Sequence, residues 1–488
     1  MPRVSELYAL GVDQGGLDFV DVLVETDNPV FIDPAAIRSQ HGEWAESCRE
    51  AIRTYFQALL DAIRANDAPR QLSLVYPLVE PNETHLGVSE GRSAGHSLGS
   101  RAKADKLINE LRNSRAVTTG MLTDLDDSAM FVDGVGRDII SDITTCVIRS
   151  QLIAYTQQMC KFYGITIVAQ VPGPVWDLGA AEWRESGETA LPRADDNYLL
   201  LVPKSIVRVD LTANGGKYWR GFLRPYFVDE VLRSASPASN LVRILKDRTI
   251  KIRLAELDKE MGTTKQALVD NTQLYPQALG AYKEDASGRP APPPSNGELH
   301  SRLGTPPVNV RDLFDAVKAV APGGPGAGAY HRAVAELLRA LFDQALANMR
   351  LEQDLHSDLK RVDIMFDNVA TDGFFRWLSL HWAASEFPVE CKNYTREVSN
   401  PEFDQLAMRF APDRGRIGIL VCRSIENRDR AEARAHAIAG DQHGWVLLID
   451  DEDLAVMVNE YEAHVHSGAG GPVEYADLRR QFGALRGL

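Results

Sequence analysis

The chain has 488 residues, more than one ordinary domain holds, and its length predicts two or three domains. With 44% hydrophobic and 25% charged residues it has the composition of a globular protein, and no apolar run approaches the roughly 20 residues of a membrane helix. The net charge of −15 excludes a surface that is basic all over, which is the usual footprint of a protein that binds nucleic acid.

The five cysteines are scattered along the chain and form no CxxC pair. An odd, dispersed set is typical of reduced thiols and not of a disulfide framework or a zinc site. Residues 1–6 also lack the basic and then apolar layout of a signal peptide. We therefore expect a cytoplasmic protein with no membrane partner and with free thiols at Cys48, Cys146, Cys160, Cys391 and Cys422.

Residues 1–282 predict a large α+β domain, because segments with helical spacing of apolar residues alternate with short apolar runs. The predicted helices are 43–65 and 139–163. The predicted strands are 19–24 and 29–33, joined by a turn at Asp27–Asn28, then 72–79, and 198–202, which Pro203 closes.

A glycine-rich segment, residues 80–99, precedes a basic stretch that predicts a helix start near residue 100. Glycine-rich backbone ahead of a helix can cradle phosphates. The segment lacks the Gly-Lys-Ser/Thr ending of a phosphate-binding loop, and a flexible surface loop is the better interpretation. Residues 1–282 indicate no second enzyme, and we expect them to act in recognition or control.

Two segments rich in proline and glycine separate the halves of the chain. Residues 283–297 are dense in proline and small polar residues, which predicts an exposed linker or disordered loop. Residues 321–329 form a second break after a short helix predicted at 311–320. The expected organisation is an N-terminal domain at 1–282, a linker with a short helix at 283–328, and a C-terminal domain at 329–488.

After the second break, strands and helices alternate, which implies a partly parallel sheet with helices on both sides. The apolar run 417–422 predicts a central strand that is buried on both faces. The predicted elements are a helix at 330–349, a strand at 362–366, an apolar aromatic-rich segment at 374–382, a strand at 387–392, a helix at 401–409, a strand at 417–422, a helix at 428–439, a strand at 445–449 and a helix at 452–461.

Two carboxylates and a lysine fall on neighbouring predicted strands. Asp363 lies on one, and Glu390 and Lys392 lie two residues apart on the next. Because residues i and i+2 of a strand project to the same side, Glu390 and Lys392 can reach one site together. Two carboxylates can hold a hard divalent cation and a lysine can lie beside an attacking water, as metal-dependent phosphodiester cleavage requires. The alternative is a solvated strand face whose ion pair contributes at most about 1 kcal/mol.

Further motifs surround these residues. Glu-Cys-Lys-Asn-Tyr at 390–394 is followed by a helix opening at 400–406, the buried strand 418–423 and the segment 448–454. With Asp363 ahead of them, residues 330–460 resemble the PD-(D/E)xK nuclease superfamily, and within it the Mrr-like restriction endonucleases. The resemblance implies an α/β fold with a restriction-endonuclease-like core, a mixed central sheet flanked by helices, behind the larger N-terminal α+β domain.

The resemblance also implies a metal cofactor, Mg²⁺ or Mn²⁺, held by Asp363 and Glu390 with the backbone carbonyl of Cys391. Lys392 would orient the attacking water and balance charge at phosphorus. Gln405 matches a glutamine that some relatives place near the reacting phosphate. The Cys391 side chain should point away from the site, as a small buried residue and not as a nucleophile.

The first helix of such nucleases often carries a further acidic residue or histidine. His331 matches that position best, and Glu336 is the alternative, five residues further along and therefore not cleanly on the same helix face. Asp367 is a possible substitute ligand near the end of the first strand. His331 and Gln405 are also compatible with an ordinary helix start and an ordinary helix surface.

Functionally, the resemblance implies a Mg²⁺-dependent endonuclease that hydrolyses DNA phosphodiester bonds in prokaryotic defence against phage, under the control of residues 1–282. An activating ligand or partner protein would act through that domain, and we expect a homo-oligomer. The negative net charge leaves two possibilities, a local patch that gathers arginines such as Arg409, Arg416 and Arg423, or weak DNA binding until a partner completes the groove. The alternative function is that of a non-catalytic nucleic-acid-binding or signal-sensing protein that retains the fold.

Overall fold

The structure is a computed structural model that describes residues 2–78, 82–87, 101–170, 173–194, 197–234, 239–247, 249–355, 360–412, 415–440 and 443–487. The chain has a mixed α/β fold, with a five-stranded mixed sheet in its C-terminal part. Most of the glycine-rich segment 80–99 lies outside the described residues, so its interpretation stays a prediction.

The N-terminal body, residues 2–303, is mainly helical and packs around one hydrophobic core. Its helices are α1 (Val4–Leu7), α2 (Pro34–Arg38), α3 (Glu43–Arg64), α4 (Ala68–Val75), α5 (Arg101–Asn113), α6 (Arg115–Thr118), α7 (Asp127–Phe131), α8 (Arg137–Val147), α9 (Arg149–Tyr163), α10 (Gly215–Tyr218), α11 (Arg224–Ser234), α12 (Leu254–Met261), α13 (Lys265–Leu274), α14 (Gln277–Gly288) and α15 (Asn296–Leu303), with a 3-10 turn at Lys204–Ile206 and a π-helical turn at Trp219–Leu223.

The described strands of this body form two-stranded antiparallel ribbons only. They are β1 (Phe31–Ile32), β2 (Val168–Gln170), β3 (Pro174–Asp177), β4 (Glu182–Glu185), β5 (Thr189–Leu191), β6 (Arg193–Ala194), β7 (Asn197–Tyr198), β8 (Val207–Arg208), β9 (Val242–Ile244) and β10 (Ile250–Ile252). The ribbons are β1 with β8, β2 with β5, β3 with β4, β6 with β7, and β9 with β10.

The long amphipathic pattern at 43–65 is confirmed as α3, whose buried residues recur at helical spacing, among them Cys48, Ile52, Tyr55 and Leu59. The pattern at 139–163 is confirmed as helical, but it forms two helices, α8 and α9, that meet at Ile148. Ile148 leaves the helical conformation at φ −93° and ψ 16°, which breaks the continuous helix.

Two strand predictions in this body are wrong. Residues 19–24 and 29–33 form no hairpin, because Phe19 bridges to Pro203 and Leu23 to Arg3, whereas β1 pairs with β8. Residues 72–75 belong to α4 and are therefore helical. Asp67 caps this helix by accepting from the backbone of Arg70, and the helix carries a proline in its first turn. A short apolar run does not distinguish a strand from a buried helix, and the cap was the better signal.

The segment predicted as an exposed linker, 283–297, is packed. Helix α14 continues to Gly288, and Pro293 and Pro294 are buried. The Arg208 guanidinium donates to the Ala291 carbonyl at 2.7 Å, and the Gln344 amide donates to the Pro293 carbonyl at 2.7 Å. Neighbouring parts of the fold satisfy the backbone of this segment, which composition alone does not reveal. The division at 1–282, 283–328 and 329–488 stays a prediction.

The C-terminal body, residues 310–487, is built on the five-stranded sheet. Its strands are β11 (Leu346–Leu355), β12 (Lys360–Asn368), β13 (Glu386–Lys392), β14 (Ile417–Cys422) and β15 (Trp445–Ile449). Its helices are α16 (Val310–Ala319), α17 (Ala327–Leu341), α18 (Gly373–His381), α19 (Asn400–Ala407), α20 (Arg428–Gly440), α21 (Asp451–Ser467) and α22 (Ala476–Leu485), with a 3-10 turn at Gly324–Gly326.

The strands lie in the order β11-β12-β13-β14-β15, and helices cover both faces of the sheet. The pairs β11/β12 and β12/β13 are antiparallel, whereas β13/β14 and β14/β15 are parallel. One face packs on α17, α18, α21 and α22, and the other packs on α19 and α20. Strand β14 matches the prediction at 417–422 and is buried along its whole length.

The helix predicted at 330–349 is too long, because α17 ends at Leu341 and β11 begins at Leu346. Gln344 and Asn348 have positive φ angles of 64° and 53°, conformations that no helix continues through. The apolar segment 374–382 is a helix, α18, which Asp372 caps.

Buried polar contacts join the two bodies. Arg339 of α17 lies 2.8 Å from Asp18, and neither side chain is more than 2% exposed. The Ser205 hydroxyl donates to Asn348 Oδ1 on β11 at 2.6 Å. The Lys204 ammonium lies 3.7 Å from Asp343 Oδ1, just after α17. Polar side chains are rarely buried without partners, so these contacts fix the N-terminal body against α17 and β11.

Candidate active site

The sheet brings Asp363, Glu390 and Lys392 to one face. Ile364 of β12 pairs with Val389 of β13, so the antiparallel register places Asp363 beside Glu390. Lys392 follows two residues later and projects to the same side as Glu390. The predicted juxtaposition of the two carboxylates and the lysine is therefore present in the fold.

Asp363 is anchored by the backbone of the neighbouring strand. Its Oδ2 accepts a hydrogen bond from the Cys391 amide at 2.8 Å, and its side chain is 20% exposed. His331, in the first turns of α17, places Nε2 3.9 Å from the same oxygen. A histidine predicted only from its position on the first helix thus lies at the edge of the site.

Glu390 and Lys392 form a buried pair that α19 completes. Lys392 Nζ lies 2.5 Å from Glu390 Oε1 and 3.1 Å from Gln405 Oε1. Helix α19 is positioned by a capping box in which Ser399 and Glu402 bond reciprocally. The cap fixes the helix start, and Gln405 then projects from its second turn toward the lysine.

The charges of this pair depend on each other. Burial, and next the neighbouring Asp363, raise the pKa of the Glu390 carboxyl, while Lys392 opposes them. Burial alone would lower the pKa of the Lys392 ammonium, but the Glu390 carboxylate and its hydrogen bond outweigh burial and raise it. Lys392 is therefore protonated at neutral pH and supports the ionised form of Glu390.

The donor set suits a hard cation. Both side chains offer carboxylate oxygens, the ligands that Mg²⁺ prefers, and Glu390 Oε2 is buried without a hydrogen-bond partner in the described part of the chain. Within the same residues, no group of three or more His, Cys, Asp or Glu side chains could hold a metal. A bound ion would thus need further oxygens from backbone, water or substrate, as Mg²⁺ commonly does.

Cys391 projects to the opposite face of the sheet. Its side chain belongs to the core beneath α17, and burial raises the pKa of its thiol. The expectation of a buried, unreactive side chain agrees with this placement. Only the backbone of Cys391 is near the candidate site, where its amide already bonds Asp363.

Two alternative ligands lie elsewhere. Asp367 is 2% exposed, and Arg350 and Asn348 bond its two oxygens at 2.7 and 2.9 Å. Glu336 is directed toward the N-terminal body, since a Cβ added at Gly16 would lie 3.6 Å from the Glu336 Cβ. Burial raises the pKa of Glu336 to about 7. The suggestion that Asp367 replaces a site carboxylate is therefore wrong.

A turn next to the site was missed from the sequence. The Asn393 amide donates to the carbonyls of Ala321 and Gly323, both at 3.0 Å, and the Asn393 carbonyl accepts from the Gly323 amide at 2.7 Å. A Cβ at Gly326 would lie 2.7 Å from the Ala321 carbonyl oxygen. Residues 321–326 of the break predicted at 321–329 are thus a tight turn held against the residue that follows Lys392, and residues 327–329 begin α17.

Comparison with known proteins concerns the N-terminal body. Residues 9–214 are similar to a family described as a domain of unknown function (DUF8370). No curated protein and no solved structure matches the chain. Among the described residues, no helix has the length and apolar character needed to cross a membrane. The matched region ends well before Asp363, so the family match does not bear on the candidate site.

Proposed function

We propose that the C-terminal body is a metal-dependent nuclease that hydrolyses DNA phosphodiester bonds, with Mg²⁺ or Mn²⁺ as its cofactor. The observation that carries the proposal is the convergence of Asp363, Glu390 and Lys392 on one face of two adjacent strands. The mixed sheet and the resemblance to PD-(D/E)xK nucleases support it. The fold class alone would not, since one fold hosts many functions.

Each residue has a role that follows from its chemistry. Asp363 and Glu390 would hold the ion, with the Cys391 carbonyl as a further oxygen donor. The ion, when bound, supplies positive charge to the phosphoryl oxygens and lowers the pKa of water. Lys392 is a protonated donor that can orient the attacking water or stabilise charge on the phosphate. Gln405 fixes the position of the Lys392 ammonium.

The N-terminal body is proposed to control this site. The supporting contact is that of Asp18 with Arg339, because Arg339 lies on the same helix as His331. An activating ligand or partner protein would bind residues 1–282, and a homo-oligomer would complete the DNA groove. Cytoplasmic defence of a prokaryote against phage DNA is the biological role that the resemblance supports.

A second candidate is a non-catalytic nucleic-acid-binding protein that retains the fold. It is favoured by the lack, in the described part of the chain, of a three-ligand metal group. Such a protein would bind DNA with strong salt dependence and would not cleave it.

Cleavage of supercoiled plasmid, measured in Mg²⁺ and in EDTA, distinguishes the nuclease from the non-catalytic DNA-binding protein. The nuclease proposal predicts nicking in Mg²⁺ or Mn²⁺ alone, and its loss in Asp363→Asn. Asp404→Asn is the matched control, since Asp404 is an exposed residue of α19. Salt-sensitive binding without cleavage, repeated after candidate activators are added, would favour the second candidate.

A further inference from the structure

Arg409 follows Gln405 by four residues, in the turn that comes directly after α19 and its C-cap Met408. Residues four apart in a helical turn lie on the same side, and the Arg409 amide still donates to the Leu406 carbonyl at 2.9 Å. The side of the helix that delivers Gln405 to Lys392 therefore also delivers Arg409 toward the site.

The Arg409 guanidinium is not used by the fold. Its Nε is buried without a hydrogen-bond partner, and within the described ranges the side chain forms no ion pair. A buried guanidinium N–H normally has an acceptor, and leaving one unpaired is unfavourable. An arginine held in this way is available for an acceptor that comes from outside the protein.

The charges around the site identify that acceptor. Asp363 and Glu390 make the site negative, and the ammonium of Lys392 is already paired with Glu390. Arg409 is four residues beyond Gln405, whose Oε1 accepts from the Lys392 ammonium at 3.1 Å. A phosphodiester that approaches two carboxylates needs a cation that is not already neutralised, and Arg409 supplies one.

We propose that Arg409 binds a phosphate oxygen of the substrate beside Lys392, as a substrate-binding residue of the candidate site. The inference rests on the proposed nuclease function for the identity of the substrate. A guanidinium suits this task because its planar N–H groups can donate two parallel hydrogen bonds to one phosphate, which a lysine cannot do.

The test combines two readouts on Arg409→Ala, Arg409→Lys and Arg430→Ala. Arg430 is an exposed arginine of α20, so its loss changes the net charge equally without touching the site. The first readout is the Kd for a labelled DNA duplex in EDTA, and the second is KM and kcat for plasmid cleavage in Mg²⁺. Circular dichroism confirms folding, and Arg409→Gln replaces Arg409→Ala if the alanine variant fails to fold.

Arg409→Ala should raise Kd and KM by about tenfold, because a charge-assisted hydrogen bond contributes about 1.5 kcal/mol or more. Arg409→Lys should recover part of the loss, and Arg430→Ala should stay within twofold of the wild type. Equal Kd and KM in Arg409→Ala and Arg430→Ala would overturn the inference even if the wild type cleaves DNA. If the wild type does not cleave, the proposed function fails, and Kd alone decides whether Arg409 binds the phosphate backbone.

Discussion

Lys392 Nζ lies 2.5 Å from Glu390 Oε1, and the two residues are separated by a single position on β13. Glu390 is completely buried, and the Lys392 ammonium is the group that forms an ion pair with it. A carboxylate buried in this way is unfavourable in a structural role, and a pair of hydrophobic residues would often stabilise the fold as well. Its presence on the face of Asp363 is what a site for charged chemistry requires.

Removal of Lys392 alone should therefore destabilise the protein. We expect Lys392→Met to lower the free energy of unfolding by about 3 kcal/mol, because it leaves Glu390 buried and unpaired. The double variant Glu390→Gln with Lys392→Met should lose less than the single variant. Urea unfolding of the wild type, the two single variants and the double variant measures the coupling. Strictly additive losses of unfolding free energy would contradict the buried pair.

Much of the C-terminal sheet can be predicted from the sequence. The strands at 417–422 and 445–449 match β14 and β15, because fully apolar runs of five or six residues leave few other possibilities. Strand β11 could not be predicted in this way, since its start continues the apolar pattern of α17. Gln344, which lies between α17 and β11, and Asn348, which lies within β11, carry positive φ angles that their identity only weakly predicts.

The site is predictable to a similar extent. The shared face of Glu390 and Lys392 follows from strand periodicity. Gln405, which the resemblance implies to be near the reacting phosphate, contacts Lys392. The unpaired guanidinium of Arg409 could not be predicted from the sequence, because the surroundings of this side chain depend on how α19 packs. The contact of Asn393 with residues 321–326 is likewise a tertiary contact that composition describes only as a break.

The turn beside Asn393 should tolerate no side chain at Gly326. A Cβ there would lie 2.7 Å from the Ala321 carbonyl oxygen and 3.0 Å from Asn393 Nδ2, so Gly326→Ala should cost about 1–3 kcal/mol. Gly324→Ala is the control, since no atom lies within 4 Å of its added Cβ. Thermal unfolding of both variants measures the difference. Equal melting temperatures would show that the turn is not packed as described.

The ion pair of Asp18 with Arg339 should couple the two bodies. Both side chains are almost completely buried, so Arg339→Met should cost about 3–5 kcal/mol. Tyr155 also donates to Asp18 at 2.9 Å, and this hydrogen bond offsets part of the cost of leaving the Asp18 carboxylate without Arg339. Asp18→Asn combined with Arg339→Met should recover stability in urea unfolding. Loss of stability confined to one of two separate transitions would contradict the coupling.

Lys204 should make stability depend on pH. Burial, and next Arg339, lower the pKa of its ammonium to about 7, against the opposing effects of Asp343 and Asp18. The unfolded chain, with a lysine pKa of about 10.4, then binds more protons than the folded one between these values, so stability rises with pH in that window and is lost as pH falls toward 7. The free energy of unfolding of the wild type, relative to Lys204→Met, should rise from pH 7 to pH 9. A constant difference would show that Lys204 keeps an ordinary pKa.

We propose that Asp363, Glu390 and Lys392 form a metal-dependent nuclease site. The most direct measurement is the initial rate of supercoiled plasmid nicking in Mg²⁺ by the wild type and by Glu390→Gln, at a temperature where both are folded. We predict a Mg²⁺-dependent rate in the wild type that falls by about 100-fold or more in Glu390→Gln. Equal Mg²⁺-dependent rates in the two proteins would contradict the account.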